Sequence, residues 1–526
     1  MLITCNIVGL EYDIHSLTKA FFPGEDVKVL TPESVIKDKK LHQARPDMVM
    51  HFTPDQVELS VYVKNGQDEE WESNENHPDS GQENDEKLPE KRQYVWNTRG
   101  LFPDLLDSLE RGTGYKNSAY KNKWKGFFYQ SLCDLTGKTL PWGNLTGIRP
   151  TKIAMTMLEE GRTEAEIAQF LKEEHFVSDE KIALSIDIAK REKGLLDTLH
   201  YEDGYSVYIG IPFCPTTCLY WSFTSCPICS WKKRIDDYLS AVEKEIDFVA
   251  EFYRDKKLDT IYIGGGTPTT LEAEELDRLL GKVRASFDFT YVKEFTVEAG
   301  RADSITREKL EVLYKHGVDR ISVNPQTMHQ KTLDIIGRRH TVEQVREAYQ
   351  LAREIGFSHI NMDIILGLPG ETAEDVAYTI DEIKKLQPDS LTVHSLAIKR
   401  ASRLHQWIEE HGIATLNNTD ETMSIAAKGA ADMGMKPYYL YRQKNMSGNF
   451  ENVGYGKDGG TGIGKYGLYN ILIMEEKQTI VALGAGTITK RVYPDGRIER
   501  CDNVKDVALY IEKIDEMIER KRGLLS

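Results

Sequence analysis

The chain has 526 residues, 40% hydrophobic, 29% charged and 9% aromatic, which excludes overall disorder, collagen and coiled coil and predicts about two to four domains. Sixty-seven basic residues against 83 acidic ones give a net charge of −16, which argues against a nucleic-acid partner or an anionic membrane face. No apolar run approaches the roughly 20 residues of a membrane span, and the N-terminus lacks signal-peptide features, so the expectation is a cytoplasmic protein.

Residues 1–65 read as a small α/β domain, with strands at Ile3–Val8, Asp47–Phe52 and Val57–Val63 and a helix at Asp13–Phe21. Residues 66–92 form an acidic linker. Asp68 to Glu90 carries ten acidic residues and one lysine, too few apolar side chains to order itself. Residues 93–204 are mainly helical, with Thr163 and Ser178 as N-caps ahead of acidic first turns.

Over 205–435 short β-branched or aromatic runs alternate with amphipathic helices. The strands are Val207–Ile211, Thr260–Ile263, Glu294–Glu298, Arg320–Val323, Ile360–Leu366 and Ser390–Ser395. The helices are Asp236–Phe252, Glu272–Ser286, Thr306–His316, Val342–Ile355, Thr372–Leu386 and Glu421–Met433. This alternation specifies right-handed βαβ units and a parallel sheet, either an open or partial barrel or a doubly wound sheet. Residues 436–526 read as a C-terminal α+β domain, with strands at Tyr469–Met474, Gln478–Leu483, Thr487–Tyr493 and Arg497–Arg500 and a helix near 504–521.

Four of the seven cysteines, Cys214, Cys218, Cys226 and Cys229, fall close together. In a reducing cytosol that clustering points to a metal or redox site, whereas Cys5, Cys133 and Cys501 read as structural. Cys226-Pro-Ile-Cys229 also has C-x2-C spacing, but no second pair completes a zinc site.

Polar or glycine-rich residues follow each strand of the βα region. They are the Cys214 loop, Gly264-Gly265-Gly266-Thr267-Pro268, Glu298, Gln326, Asp363 with Gly367 and Gly370, and Ala397. In parallel α/β folds ligands bind at this end, where loops and helix N-termini converge. Singly, the glycines are tight-turn residues and the carboxylates are caps or ion-pair members; together, beside the thiols, they point to a site.

Tyr208-Ile-Gly-Ile-Pro-Phe-Cys214-x3-Cys218-Leu-Tyr, Gly264-Gly-Gly-Thr-Pro268, Gln326, Gly337-Arg338-Arg-His340 and Asp363-Ile-Ile-Leu-Gly-Leu-Pro369 resemble the radical S-adenosylmethionine superfamily. More narrowly they resemble the oxygen-independent coproporphyrinogen III oxidases (coproporphyrinogen dehydrogenases). Leu145-Thr-Gly-Ile-Arg149-Pro-Thr, Gly448-Asn-Phe-Glu-Asn-Val-Gly454 and Met474-Glu-Glu are similar to the HemZ-type branch.

The resemblance implies an α/β fold with a partial (β/α)6 TIM-like barrel. It implies a [4Fe–4S] cluster on three cysteines and one or two molecules of S-adenosylmethionine, cleaved by one electron to a 5′-deoxyadenosyl radical. The implied reaction, in anaerobic heme biosynthesis, is oxidative decarboxylation of tetrapyrrole propionates to vinyls, coproporphyrinogen III to protoporphyrinogen IX. A flavodoxin- or ferredoxin-like electron donor would serve it. By resemblance Tyr208 is catalytic and packs near the cofactor, and Gly264, Gly265, Gly266, Thr267, Glu298, Gln326, Arg338, Asp363 and Ala397 are cofactor-binding. Lys399, Arg400 and Arg403 are candidate cations for the propionates, and equally a solvated helix start.

The chain departs from the family at the third cluster position, Trp221, because an indole offers a metal no lone pair. Three readings follow. Cys226 or Cys229 completes the ligand set with Cys214 and Cys218, the chain lacks the cluster, or Trp221 is a single change in a competent enzyme. The rival from another class is a non-catalytic heme-binding chaperone, for which His340 and His394 are candidate ligands.

Overall fold

The computed structural model describes all residues except 24, 33–44, 54, 64–89, 99–117, 148, 217, 221–225, 398–402, 413–415, 417, 444–449 and 461. Residues 66–89 of the acidic linker, Trp221, Lys399 and Arg400 therefore lie outside the described residues, and the linker's last three residues belong to a strand. Two compact units are present, Met1–Thr146 with Ala168–Ile182, and Gly147–Ile167 with Ala183–Ser526.

The first unit holds a five-stranded sheet of β1 (Leu2–Cys5), β2 (Lys28–Leu30), β3 (Met48–Phe52), β4 (Gln56–Val63) and β5 (Glu90–Asn97), in the order β2-β1-β3-β4-β5. Met48, Met50 and Phe52 are buried while His51 between them is exposed, the two-residue period of a sheet with one covered face. Ile14, Leu17 and Phe21 of the helix Glu11–Phe21 join that core, with Tyr120, Trp124, Phe128 and Leu132 of Ser118–Thr136 spaced four apart. β5 was not expected. It pairs antiparallel with β4 from Gln56↔Asn97 to Val63↔Glu90, but the long acidic stretch between them hides the hairpin from any short-range turn signal.

The second unit is built on one sheet. Six parallel strands follow chain order across it: β6 (Gly204–Ile211), then, beyond the two-residue strands β7 (Phe213–Cys214) and β8 (Cys226–Pro227), β9 (Lys257–Gly265), β10 (Glu294–Glu298), β11 (Arg320–Ser322), β12 (Ile360–Leu366) and β13 (Ser390–Ser395). Each is followed by a helix. The helices Val342–Ile355, Ala373–Leu386 and Asp420–Asp432 begin at Thr341, Thr372 and Thr419, each closing a reciprocal capping box with the residue three further on. The α/β class and the parallel βα units are thus as the alternation predicts, and the partial (β/α)6 barrel is as the resemblance implies.

The C-terminal strands form no separate sheet. β14 (Met435–Tyr441) and β15 (Asn452–Lys457) extend the β13 edge, and β16 (Thr479–Leu483), β17 (Ile488–Val492) and β18 (Ile498–Asp502) extend the β6 edge, with β16 parallel to β6. The expected strand Tyr469–Met474 is instead the helix Leu468–Glu475. That run is apolar nearly all round, and a short apolar run gives no period by which to tell helix from strand. The expected terminal helix is two helices, Val507–Glu512 and Ile514–Leu525, broken at Lys513.

A buried ion pair ties the terminal helix to the barrel. Lys521 Nζ meets Glu245 Oε1 on the helix Ile235–Phe252, both side chains almost wholly buried. Glu245 also accepts from Gly484 N at 2.8 Å and Asn503 Nδ2 at 3.0 Å, and Tyr510 OH donates to it. Removing one partner leaves an uncompensated buried charge, which costs more than the pair contributes. Lys521→Met should lower unfolding stability by about 3–5 kcal/mol in a denaturant titration, and adding Glu245→Gln should recover much of it. A single variant as stable as the parent would show the pair to be idle.

Candidate functional site

The site begins where β6 ends. Gly266 N donates to Ile211 O at 2.7 Å and Thr267 N to Phe213 O at 2.7 Å, so the glycine run lies flat against the segment that leads into Cys214. A Cβ on Gly266 would stand 2.4 Å from Phe213 O, and Gly265 has φ +108°, so both positions require glycine. A Cβ on Gly264 would meet the Glu298 carboxyl at 3.0 Å. The triplet is therefore an open backbone cradle beside an acidic side chain.

The thiols sit on one side of it. Thr267 Oγ1 donates to Cys214 Sγ at 3.7 Å, and Arg301 Nη1 approaches Cys218 Sγ at 4.0 Å while donating to Thr216 Oγ1 at 2.7 Å. Arg301 is held by a two-point pair with Asp303, at 3.0 and 2.6 Å. Burial pushes the Cys214 thiol up to about 12, against the pull of Thr267 and the two nearby guanidiniums, Arg301 and Arg338. Arg338 is itself buried, donating to Asn324 O at 3.2 Å and Tyr220 OH at 3.3 Å, with its Nε left without an acceptor.

The late cysteines are placed elsewhere. β7 and β8 pair in parallel with Phe213 opposite Cys226 and Cys214 opposite Pro227. Strand alternation thus turns Cys226 to the face of Phe213, away from that of Cys214. Burial, then Asp506, raises the Cys226 thiol, and Cys229 is exposed. Among the described residues no three Cys, His, Asp or Glu side chains gather as a metal-holding group.

The remaining candidates line the strand ends and the barrel interior. Tyr208 stacks on Tyr262 and Tyr469, with ring centroids 6.1 and 5.9 Å away. Gln326 adopts φ +68°, strained for a residue with a side chain. Its backbone is held to β12 by Gln326 N→Asp363 O and Ile365 N→Gln326 O, and its buried Oε1 has no donor. Ala397 follows β13 and is half-buried.

Glu298 and Asp363 both face a cavity of about 220 Å³ inside the barrel, with Tyr262, Arg320, Ser322, Asn361, Thr392 and His394 among its walls. Burial lifts the Glu298 carboxyl from 4.5 to about 7, helped by the charge of Asp363 and opposed by the hydrogen bond from Tyr262 OH, 2.6 Å long. Burial also acts to raise Asp363, yet His394, 3.8 Å away, and the Asn361 amide at 2.7 Å hold it below its ordinary value.

His340 has no exposed surface, and burial next to Arg338 takes it down to about 4; it stays neutral and walled in. Arg403 opens the helix Arg403–His411. The sequence reading missed Arg301, Arg320 and the two tyrosines that stack with Tyr208, namely Tyr262 and Tyr469. Arg301 lies three residues past the strand-end Glu298, a position of the kind already singled out. Arg320, at the first residue of a strand, gave no such signal.

Residues 208–383 match the radical SAM superfamily. The chain is 43% identical to the Bacillus subtilis "oxygen-independent coproporphyrinogen-III oxidase-like protein HemZ" over 391 residues, 73% of this chain and 77% of that protein. It is 37% identical to the "heme chaperone HemW" of the same organism, over 37% of this chain and 51% of that protein. It is 32% identical to the Escherichia coli "oxygen-independent coproporphyrinogen III oxidase", over 37% and 42%. The solved structure of the Escherichia coli coproporphyrinogen III oxidase HemN aligns with a TM-score of 0.48 at 22% identity, over 62% of this chain and 72% of that one.

The superfamily implies S-adenosylmethionine and a [4Fe–4S] cluster. For the first, the residues fit. The glycine cradle, the donorless Gln326 Oε1, the unpartnered Arg338 Nε and the two carboxylates offer complementary groups to an amino acid and a nucleoside. For the second, Cys214 and Cys218 fit with Thr267 and Arg301 beside them, while a third thiolate is not supplied among the described residues.

A raised carboxyl makes the neutral form the stable one. Glu298 therefore contributes stability that is complete below pH 4.5 and lost as pH rises through about 7. Thermal melts of Glu298→Gln and parent, compared from pH 4.5 to 8, should diverge across that window, with the parent losing more. Parallel curves would contradict the shift.

Proposed function

This chain belongs to the radical S-adenosylmethionine superfamily, in the HemZ-type branch of the coproporphyrinogen III oxidase family, and we propose that it oxidatively decarboxylates tetrapyrrole propionates to vinyl groups. The observation that carries the reading is the convergence on one barrel end of the Gly264–Thr267 cradle, Glu298, Gln326, Arg338 and Asp363 with the Cys214 and Cys218 thiols. In the overall change a propionate loses one hydrogen atom, CO2 and one further electron. Coproporphyrinogen III is the proposed substrate, and a flavodoxin- or ferredoxin-like protein the proposed electron donor.

When bound, an iron–sulfur cluster and S-adenosylmethionine would supply the one-electron cleavage that generates a hydrogen-abstracting radical. The chain's own residues have distinct tasks around them. Cys214 and Cys218 would ligate iron as thiolates, and the Arg301 and Arg338 guanidiniums would favour the thiolate of Cys214 against burial. The cradle, kept open because its positions are glycine, would admit the cofactor's amino-acid group, and Glu298 and Asp363 would accept from its ammonium and ribose hydroxyls. Tyr208, in its tyrosine stack, would pack against the cofactor and keep water from the reacting end.

One observation favours a second reading, a heme-carrying protein without decarboxylase activity. Trp221 occupies the third cluster position and Cys226 faces away from Cys214, and two thiolates hold a cubane cluster poorly.

Anaerobic reconstitution with iron and sulfide, followed by mass spectrometry of coproporphyrinogen III, separates the two. Loss of two CO2 per tetrapyrrole is expected, with iron content and rate both rising in Trp221→Cys. Unchanged coproporphyrinogen with both proteins, together with tight heme binding, would overturn the decarboxylase reading.

A further inference from the structure

The cavity inside the barrel contains a charge that the proposed chemistry leaves unused. Arg320 opens β11 and is 2% exposed. Its guanidinium lines the cavity, and its Nε is buried without an acceptor. Among the described residues it forms no hydrogen bond or ion pair. Guanidinium cannot discard its proton as a buried lysine or histidine can, so Arg320 stays charged in the interior, attracted through space by Glu294 and Glu298 but with no direct hydrogen bond.

The nearby carboxylates are already engaged. Glu294 accepts from Leu468 N and from Thr296 Oγ1 at 3.0 Å. Glu298 accepts from Tyr262, and Asp363 from Asn361.

The cavity is also polarised along the barrel axis. Thr296 pairs with Arg320 and Glu298 with Ser322, which places Glu298 roughly 7 Å nearer the carboxyl ends of the strands. Ser322 pairs with Asn361, so Asp363 lies roughly 13 Å beyond Arg320. A cationic floor thus faces an acidic mouth. Interiors of parallel barrels are ordinarily closed by layers of Val, Ile and Leu. Here Arg320, Ser322, Asn361, Thr392 and Tyr262 leave an open polar space instead.

We infer that this cavity is a carboxylate-binding subsite anchored by Arg320, and that the carboxylate is a propionate of the tetrapyrrole. The second half rests on the function proposed above. A planar guanidinium with all its N–H groups free matches a carboxylate through two parallel hydrogen bonds. S-adenosylmethionine carries a carboxylate too, and the probes below separate the two sources. Cys214, Cys218, Thr267 and Arg301 cluster outside the cavity, and none of them lines it.

Equilibrium binding to the full chain, with neither iron nor reductant present, tests this without turnover, so failure of the decarboxylase reading leaves the subsite standing or falling by itself. The probes are coproporphyrin III, its tetramethyl ester, S-adenosylmethionine and decarboxylated S-adenosylmethionine. Arg320→Met should weaken coproporphyrin III about 10- to 100-fold, the range for a charge-assisted pair, and Arg320→Lys should weaken it less. The ester should bind the parent as weakly as coproporphyrin III binds Arg320→Met, and should not respond to the substitution.

The ester comparison on the parent alone decides the matter if Arg320→Met does not fold. Equal binding of acid and ester by the parent, or of coproporphyrin III by parent and Arg320→Met, would overturn the proposal. So would an Arg320 effect confined to the difference between S-adenosylmethionine and its decarboxylated form.

Discussion

Two backbones pressed together hold this site in place. Gly266 and Thr267 hydrogen-bond to Ile211 and Phe213 so closely that a methyl group on Gly266 would collide with a carbonyl oxygen. The contact pins the loop carrying Cys214 against the loop that follows the second parallel strand. With that contact made, Thr267 reaches the Cys214 sulfur, and Gly264 leaves room for the Glu298 carboxyl. Parallel register does the rest. Strands aligned side by side bring Glu298, Gln326 and Asp363 to one end without any further device.

Binding groups held ready in this way burden the empty protein. A carboxyl at Glu298 is lifted toward neutrality, Gln326 is held in a left-handed backbone with its amide oxygen donorless, and the Arg338 and Arg320 guanidiniums are buried with nitrogens unpaired. Each costs stability that a hydrophobic side chain would not. Their concentration on the inner face of one barrel, while the outer helices are capped and conventionally packed, is the pattern of a pre-organised ligand site. The Glu245–Lys521 network gives the outer wall a firm tie at the strand that leads into the thiol loop. Tyr238 OH donates to Gly210 O at 2.6 Å and packs against Tyr510 of the same cluster.

The barrel was readable because its rules are local. Glu294–Glu298, Ile360–Leu366 and Ser390–Ser395 are strands in the structure at the residues the alternation marks. The helices Val342–Ile355 and Ala373–Leu386 start at threonines because a hydroxyl there satisfies an exposed amide. The polar strand-end residues were legible for the same reason, since topology puts them at one end whatever their contacts.

What escaped was non-local. β5 pairs with a strand on the far side of the acidic stretch, and Leu468–Glu475 is an apolar run whose conformation is settled by packing. Arg320 looks like any strand-edge arginine until the barrel closes around it. The side to which Cys226 turns depends on a two-residue pairing that no spacing rule encodes.

The central claim is that the thiol loop, the glycine cradle and the inner ends of the parallel strands form one ligand-binding surface. Amide hydrogen exchange with and without S-adenosylmethionine tests it most directly, because protection is read residue by residue and needs no turnover. The account predicts slowed exchange across Ile211–Cys218, Gly264–Thr267 and the segments around Glu298, Gln326 and Asp363, with the sheet of the first unit unchanged. Protection confined to that first sheet, or absent from the glycine cradle while the ligand is bound, would contradict it.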